Sequence, residues 1–282
     1  MQPWKIGNVR ISRVVELETA SIGKFVLPDA VPENILKRDW LRPHFADAEG
    51  QVIMSIHALI IESHEKRILV DTCLGNDKQR PIPDWNMRKG PFLEDLSKAG
   101  FPRESIDTVV CTHLHVDHVG WNTMYVNEAW VPTFPNARYL IGRAEWDYWS
   151  KEEDGQFGEV MNDSVRPVIE AGLVDLVEPD FELTPEVRLT STPGHTPGHV
   201  SVEISSQGEE AIITGDLMHH PVQCSDPDWA SAFDFDPAQA KETRLAFLKR
   251  YADSEVRVIG THFASPTIGR ITTQGPSWKF ET

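Results

Sequence analysis

The sequence predicts an α/β fold, and three observations carry that reading. First, short apolar, β-prone segments recur along the chain and several end in an acid or a histidine: residues 67–70 before Asp71, 108–111 before Thr112-His113, 211–213 before Thr214-Gly215-Asp216, and 256–259 before Gly260-Thr261-His262. Second, an amphipathic stretch, residues 92–99, closed by Gly100, lies between two of these segments as a helix would. Third, the 282 residues are 40% apolar and 25% charged, a globular balance. A chain of this length and class is expected to form one domain, residues 1–282, around a single core.

Taken in chain order, residues 9–18 alternate and are β-branched, which predicts a strand. Residues 19–50 are rich in proline and loop formers, and are expected to form either a lid or a dimer arm. A hairpin follows: residues 53–62 are apolar and β-prone, Ser63-His64-Glu65-Lys66 turns the chain, and residues 67–70 return it. Residues 75–91, with glycine, proline and Trp85, read as loop. Residues 108–111 read as a buried strand, and 187–189, 200–204, 211–213 and 256–259 as further strands.

Composition excludes some partners. The formal net charge of −16 repels nucleic-acid phosphates and disfavours anionic membranes. The first residues show no apolar segment behind a basic one, so no secretory signal is expected. The apolar runs are too short to span a bilayer, and a soluble, cytoplasmic protein is expected. Cys73, Cys111 and Cys224 are odd in number and far apart, which predicts buried small hydrophobes rather than a disulfide framework or a zinc knuckle.

The most informative segment is Thr112-His113-Leu114-His115-Val116-Asp117-His118-Val119-Gly120. On a regular strand His113 and His115 would face the same way, and Asp117 and His118 follow where the chain should turn. Imidazole nitrogens and carboxylate oxygens so crowded are the donors a borderline metal such as zinc prefers. One ion cannot easily take all four from so short a loop. Two neighbouring ions can, one served by His113 and His115, the other by Asp117 and His118. His195, aimed by the turn Thr192-Pro193-Gly194-His195-Thr196-Pro197-Gly198, is the candidate third ligand of the first ion. His199, entering the next strand, is expected to be structural. Asp216 has two oxygens and can bridge, and His262 ends the last strand of the series.

H-x-H-x-D-H, followed in order by an isolated histidine, an aspartate after an apolar strand and a final histidine, resembles the metallo-β-lactamase superfamily. The resemblance spans roughly residues 9–271. It implies a four-layered αβ/βα sandwich with a dinuclear site at one edge. By the family pattern His113, His115 and His195 bind one metal, Asp117, His118 and His262 the other, and Asp216 bridges them; Asp71 matches a supporting aspartate that orients a ligand. The resemblance implies two divalent ions, zinc first, with iron or manganese as alternatives. Phe134-Pro135-Asn136-Ala137 before an apolar strand, and His262-Phe263 with Gly269-Arg270-Ile271 downstream, make the chain similar to the branch of N-acyl homoserine lactone lactonases and methyl-parathion-hydrolase-like enzymes. The lactonases carry a tyrosine three residues after the bridging aspartate; here His219 stands there, as a donor to the substrate carbonyl or leaving alkoxide, or as a wall residue.

The expected activity is opening of a lactone or cleavage of a carboxylic ester by a hydroxide held between two metals, with Asp117 holding or accepting the nucleophile's proton. Phe25, Trp85, Trp121, Trp130, Trp229 and Phe233 fall in loops expected near the site and favour a small, partly hydrophobic substrate. A phosphotriesterase on the same metals is the alternative, followed by glyoxalase II-like thioester hydrolysis, β-lactam hydrolysis and iron-dependent sulfur dioxygenation. A homodimer is compatible with this reading; nucleic-acid and membrane partners are not expected.

Overall fold

A computed structural model describes residues 3–152 and 157–282. Two seven-stranded sheets face each other. The first is built from β1 (Trp4–Ile6), β2 (Val9–Thr19), β3 (Met54–Ser63), β4 (Lys66–Val70) and β5 (Thr108–Cys111). After a separate hairpin of β6 (Thr123–Val126) and β7 (Ala129–Pro132), β8 (Arg138–Gly142) and β9 (Val174–Val177) complete it in the order β1-β2-β3-β4-β5-β8-β9. The second sheet runs in sequence order through β10 (Glu182–Thr184), β11 (Val187–Ser191), β12 (Val200–Ser206), β13 (Glu209–Ile213), β14 (Arg257–Ile259), β15 (Ile268–Gln274) and β16 (Ser277–Glu281).

Side-chain alternation explains the layers. On β3, Leu59 and Ile61 join Val70, Val110, Val202 and Ile213 in a core between the sheets, while Ala58 and Ile60 belong to a second cluster with helix residues. That cluster includes Phe92 and Leu96 of the helix Phe92–Lys98, Val168 of the helix Arg166–Glu170, and Phe247 and Leu248 of the helix Pro237–Tyr251. Strands apolar on both faces must be covered on both, and helices on the outer faces do so. The result is the four-layered αβ/βα sandwich.

Topology places the loops that matter at one edge. β4, β5, β8 and β9 pair in parallel, as do β13 and β14. Parallel neighbours present their carboxyl ends together, so the segments following β4, β5, β13 and β14 emerge on the same side as the turn after β11.

The expected strands are present within a residue or two, and the turn at His64-Glu65 uses positive φ at both positions (47° and 62°), the twist a tight hairpin requires. One expectation is corrected. β5 ends at Cys111, so His113 and His115 lie in the turn beyond the strand rather than on it. Residues 19–50 pack onto the fold, with Leu27, Ile35, Leu41 and Phe45 buried in the outer cluster. The helix Pro237–Tyr251 was not anticipated, although its start is signalled by Asp236-Pro237. The Asp236 carboxylate accepts from Ala238 and Gln239 N–H, both at 3.0 Å, a cap worth about 1 kcal/mol, and proline suits the first helical position. No helix among the described residues is long and apolar enough to cross a membrane.

Candidate metal centre

The strand-end loops bring together all seven residues proposed from the sequence as ligands. Four of the five imidazoles are oriented through Nδ1. His118 Nδ1 donates to Asp71 Oδ2 at 2.9 Å, His195 Nδ1 to Asp234 Oδ1 at 2.9 Å, His262 Nδ1 to the Ser55 carbonyl at 3.0 Å, and His113 Nδ1 to Thr112 Oγ1 at 3.1 Å. The Thr112 hydroxyl in turn donates to Asp71, whose Oδ1 also accepts Thr112 N–H at 2.8 Å. With Nδ1 so engaged, each of these rings turns its Nε2 inward.

The inward atoms converge. His195 Nε2 lies 2.9 Å from His115 Nδ1, and His118 Nε2 lies 3.2 Å from His262 Nε2. Asp216 Oδ2 is 3.3 Å from His118 Nε2, 3.4 Å from His195 Nε2 and 3.7 Å from His113 Nε2, while its Oδ1 is 3.2 Å from His262 Nε2. Asp117 Oδ2 is 3.5 Å from His262 Nε2. Donors bound to one zinc at about 2.1 Å in a tetrahedral array stand roughly 3.4 Å apart. The donors form a His113, His115, His195 group and an Asp117, His118, His262 group, and Asp216 with His113 and His118 makes a third between them.

Three observations test whether a cation fits. Imidazole nitrogens facing each other at such distances repel unless a proton or a cation stands between them. His113 Nε2 and Asp216 Oδ1 are buried without a hydrogen-bond partner, a cost that metal binding removes. The donor set is nitrogen and oxygen without sulfur, suited to a divalent ion of zinc's hardness. Burial also holds His113, His115 and His195 well below the ordinary imidazole range and so unprotonated. Burial alone would lower His118 too, but the Asp216, Asp71 and Asp117 carboxylates raise it. The residues fit divalent cations.

His199 is structural as expected: its Nε2 accepts Asp216 N–H at 2.8 Å and its Nδ1 donates to the Thr192 carbonyl at 3.0 Å, pinning the central aspartate's backbone. His219 Nε2 lies 3.2 Å from Asp216 Oδ2, and its buried Nδ1 has no partner. Its ring lies 4.8 Å from that of His195 and stacks on His262 at 5.8 Å.

Above these donors opens a pocket whose apolar wall consists of Ile22, Val26, Met54, Trp85, Val116, Phe157 and Phe233; its polar lining is His115, Asp117, His195, Asp216, His219 and His262. Trp85 and Phe233 thus lie where the sequence suggested, and Phe25 backs Phe233 at 5.0 Å between ring centres. Three aromatics do not line it. Trp121 donates to Glu16 and stacks on Phe92, Trp130 covers the Lys78 ammonium, and Trp229 packs under Arg38. Ile22 and Val26 show that the segment after β2 forms a wall of the pocket. Sequence reasoning missed Phe157, Met54, the Ser55 carbonyl and Asp234. The Asp234 side chain is buried, accepts Ser231 N–H at 2.9 Å on its other oxygen, and has Arg244 at 3.7 Å. An aspartate in Phe233-Asp234-Phe235-Asp236 carries no local signal of that role.

Comparison with known proteins agrees with this geometry. The family model described as the metallo-beta-lactamase superfamily matches residues 54–262. The N-acyl homoserine lactonase of Bacillus cereus is 26% identical over 208 residues, covering 68% of this chain and 75% of that protein. Among solved structures, AidC, a dizinc quorum-quenching lactonase in complex with a product, is similar at a TM-score of 0.79 and 25% identity, over 99% of this chain and 96% of that one. A hydrolase of the beta lactamase superfamily, AbOPH, is similar at a TM-score of 0.79 and 26% identity over the same shares.

Proposed function

This chain belongs to the metallo-beta-lactamase superfamily and is a metal-dependent hydrolase; from that premise we propose that it opens a lactone, or cleaves a carboxylic ester, of a small, uncharged and partly hydrophobic substrate. In this reading residues 1–282 act as one domain. His113, His115 and His195 would hold one cation, Asp117, His118 and His262 would hold the other, and Asp216 would be shared between them. When bound, the cations, most simply zinc, make a water molecule acidic near neutral pH and polarise the electrophilic oxygen.

The chain's own groups do the rest. Asp117 is the most accessible carboxylate of the cluster, its side chain 14% exposed against 4% for Asp216, so it can hold the attacking water and take its proton. Attack forms a carbon–oxygen bond at the carbonyl, and collapse breaks the bond to the alkoxy oxygen. The leaving alkoxide needs a proton, and the one that Asp117 takes from the water can return to it through His219, whose Nδ1 is buried without a partner at the pocket wall. Ile22, Val26, Trp85, Phe157 and Phe233 exclude water and bind the apolar part of the substrate.

The observation that carries the choice of substrate is the pocket's lining: apolar on one side, metal-binding donors on the other, and no lysine or arginine among its described residues. The free carboxylate of a β-lactam or the charged tail of a glutathione thioester would find no lysine or arginine to pair with along that lining. Named relatives that are N-acyl homoserine lactonases support the lactone within this class. A hydrolysis panel tests it, setting lactones of graded chain length beside aryl esters, phosphotriesters, a glutathione thioester and a β-lactam. Uncharged lactones or esters should lead the anionic substrates by roughly tenfold or more in kcat/KM. A β-lactam or a glutathione thioester at the head of the panel would overturn the proposal, and a phosphotriester there would move the chemistry from carbon to phosphorus.

A further inference from the structure

Glu145 lies outside both ligand groups, near the start of the helix Arg143–Trp149 that follows β8, and it is 1% exposed. A carboxylate so deeply buried costs several kcal/mol unless every lone pair is used. Both of its oxygens are used, and their partners come from the two loops that carry the three-histidine group. Oε1 accepts Leu114 N–H at 3.0 Å, from the residue between His113 and His115. Oε2 accepts Gly198 N–H at 2.9 Å, three residues after His195. Oε1 also accepts the Trp149 indole N–H at 2.7 Å, and that indole stands edge-on to the His115 ring at 5.5 Å.

The approach is close by construction: a Cβ on Gly198 would come within 2.3 Å of Glu145 N. The second group is anchored elsewhere, His118 by Asp71 and His262 by the Ser55 carbonyl. We propose that Glu145 is a positioning residue that sets the spacing of the His113, His115, His195 pocket and so tunes the affinity of that metal position alone. The inference rests on the dinuclear reading above.

The test counts bound zinc by elemental analysis after the zinc-loaded protein is dialysed against a series of chelator-buffered free zinc concentrations, with thermal melts at saturating zinc. In Glu145→Gln an NH2 group must oppose one of the three N–H donors, so one equivalent should be released at a free zinc concentration about 10- to 100-fold higher than in wild type, the other being unchanged. Glu145→Asp, which keeps both acceptors, should recover part of the loss. Trp149→Phe, which strips one donor and keeps a ring against His115, should weaken the same equivalent by a smaller factor, and it decides the matter if Glu145→Gln does not fold. Variants that hold both equivalents as wild type does, or lose both in parallel, would overturn the role of Glu145. Wild-type protein holding fewer than two equivalents would instead overturn the dinuclear reading.

Discussion

Lys78 offers a quantitative test of how the wall of the pocket is held. Its ammonium is 1% exposed, donates to Thr123 Oγ1 at 2.8 Å and to the Asp163 carbonyl at 3.0 Å, and lies 3.8 Å from the centre of the Trp130 ring. Asp163 also takes both terminal nitrogens of Arg80, at 2.7 and 2.8 Å. Two buried cations therefore share one carboxylate, and the loop between them and β5 carries Trp85 into the pocket. Burial is the largest influence on Lys78; Asp163 and Asp77 oppose it, Arg80 adds to it, and the result is a shift from 10.5 down to about 7. The unfolded chain keeps this proton up to 10.5, so between about pH 7 and that value the unfolded state binds more protons and stability rises with pH.

From pH 7.0 to 8.5 the gain is about 1.5 kcal/mol from these two values, or roughly 3–5 °C in Tm for a chain of this size. The window stops there because buried thiols raised by burial, among them Cys111 at about 12, begin to oppose folding once their unfolded counterparts ionise near 9. Lys78→Met removes the titrating group. Melts of zinc-saturated wild type and variant across this range should converge or diverge by that amount, the wild type alone gaining the increment. Because proton release on zinc binding is common to both, it cancels in the difference. Parallel curves would refute the reasoning, placing the Lys78 proton on the folded protein throughout.

Three further outcomes are expected. His219→Ala should lower kcat by about 10²-fold or more, as loss of a general acid does, with zinc content intact by elemental analysis; an unchanged rate would return His219 to the wall. Asp216→Asn should lose zinc and hydrolysis together, and full turnover would mean that the bridge is misassigned. Gly194→Ala should displace His195, because Gly194 has a φ of 131° and its Cβ would come within 2.3 Å of Ala240 N on the helix Pro237–Tyr251; bound zinc near two equivalents at wild-type affinity would contradict this.

How much was legible in the sequence follows from what each residue needs. His113, His115, Asp117 and His118 announce themselves because four donors crowded into six residues have little purpose without an ion. Asp71, Asp216 and His262 each end an apolar strand, where a polar side chain has an edge to face. These signals are local, as is the unbroken apolar run that marks β3 and β13 as strands buried on both sides. Trp121 and Trp130 show the limit: both are aromatic residues in the right stretch of chain, yet one serves Glu16 and the other Lys78.

The sequence by itself determined the class of fold and nominated the candidate ligands, because strand periodicity and donor crowding are properties of neighbours along the chain and the order of the remaining donors resembles a family pattern. Tertiary structure decided which nitrogen of each imidazole faces inward, through Asp71, Asp234, the Ser55 carbonyl and Thr112. It also decided that Glu145 joins two loops and that Ile22, Met54 and Phe157 wall one pocket. Those roles arise only when backbones distant in sequence are brought within hydrogen-bond reach, and no local pattern encodes which of many buried acids or apolar side chains will meet there.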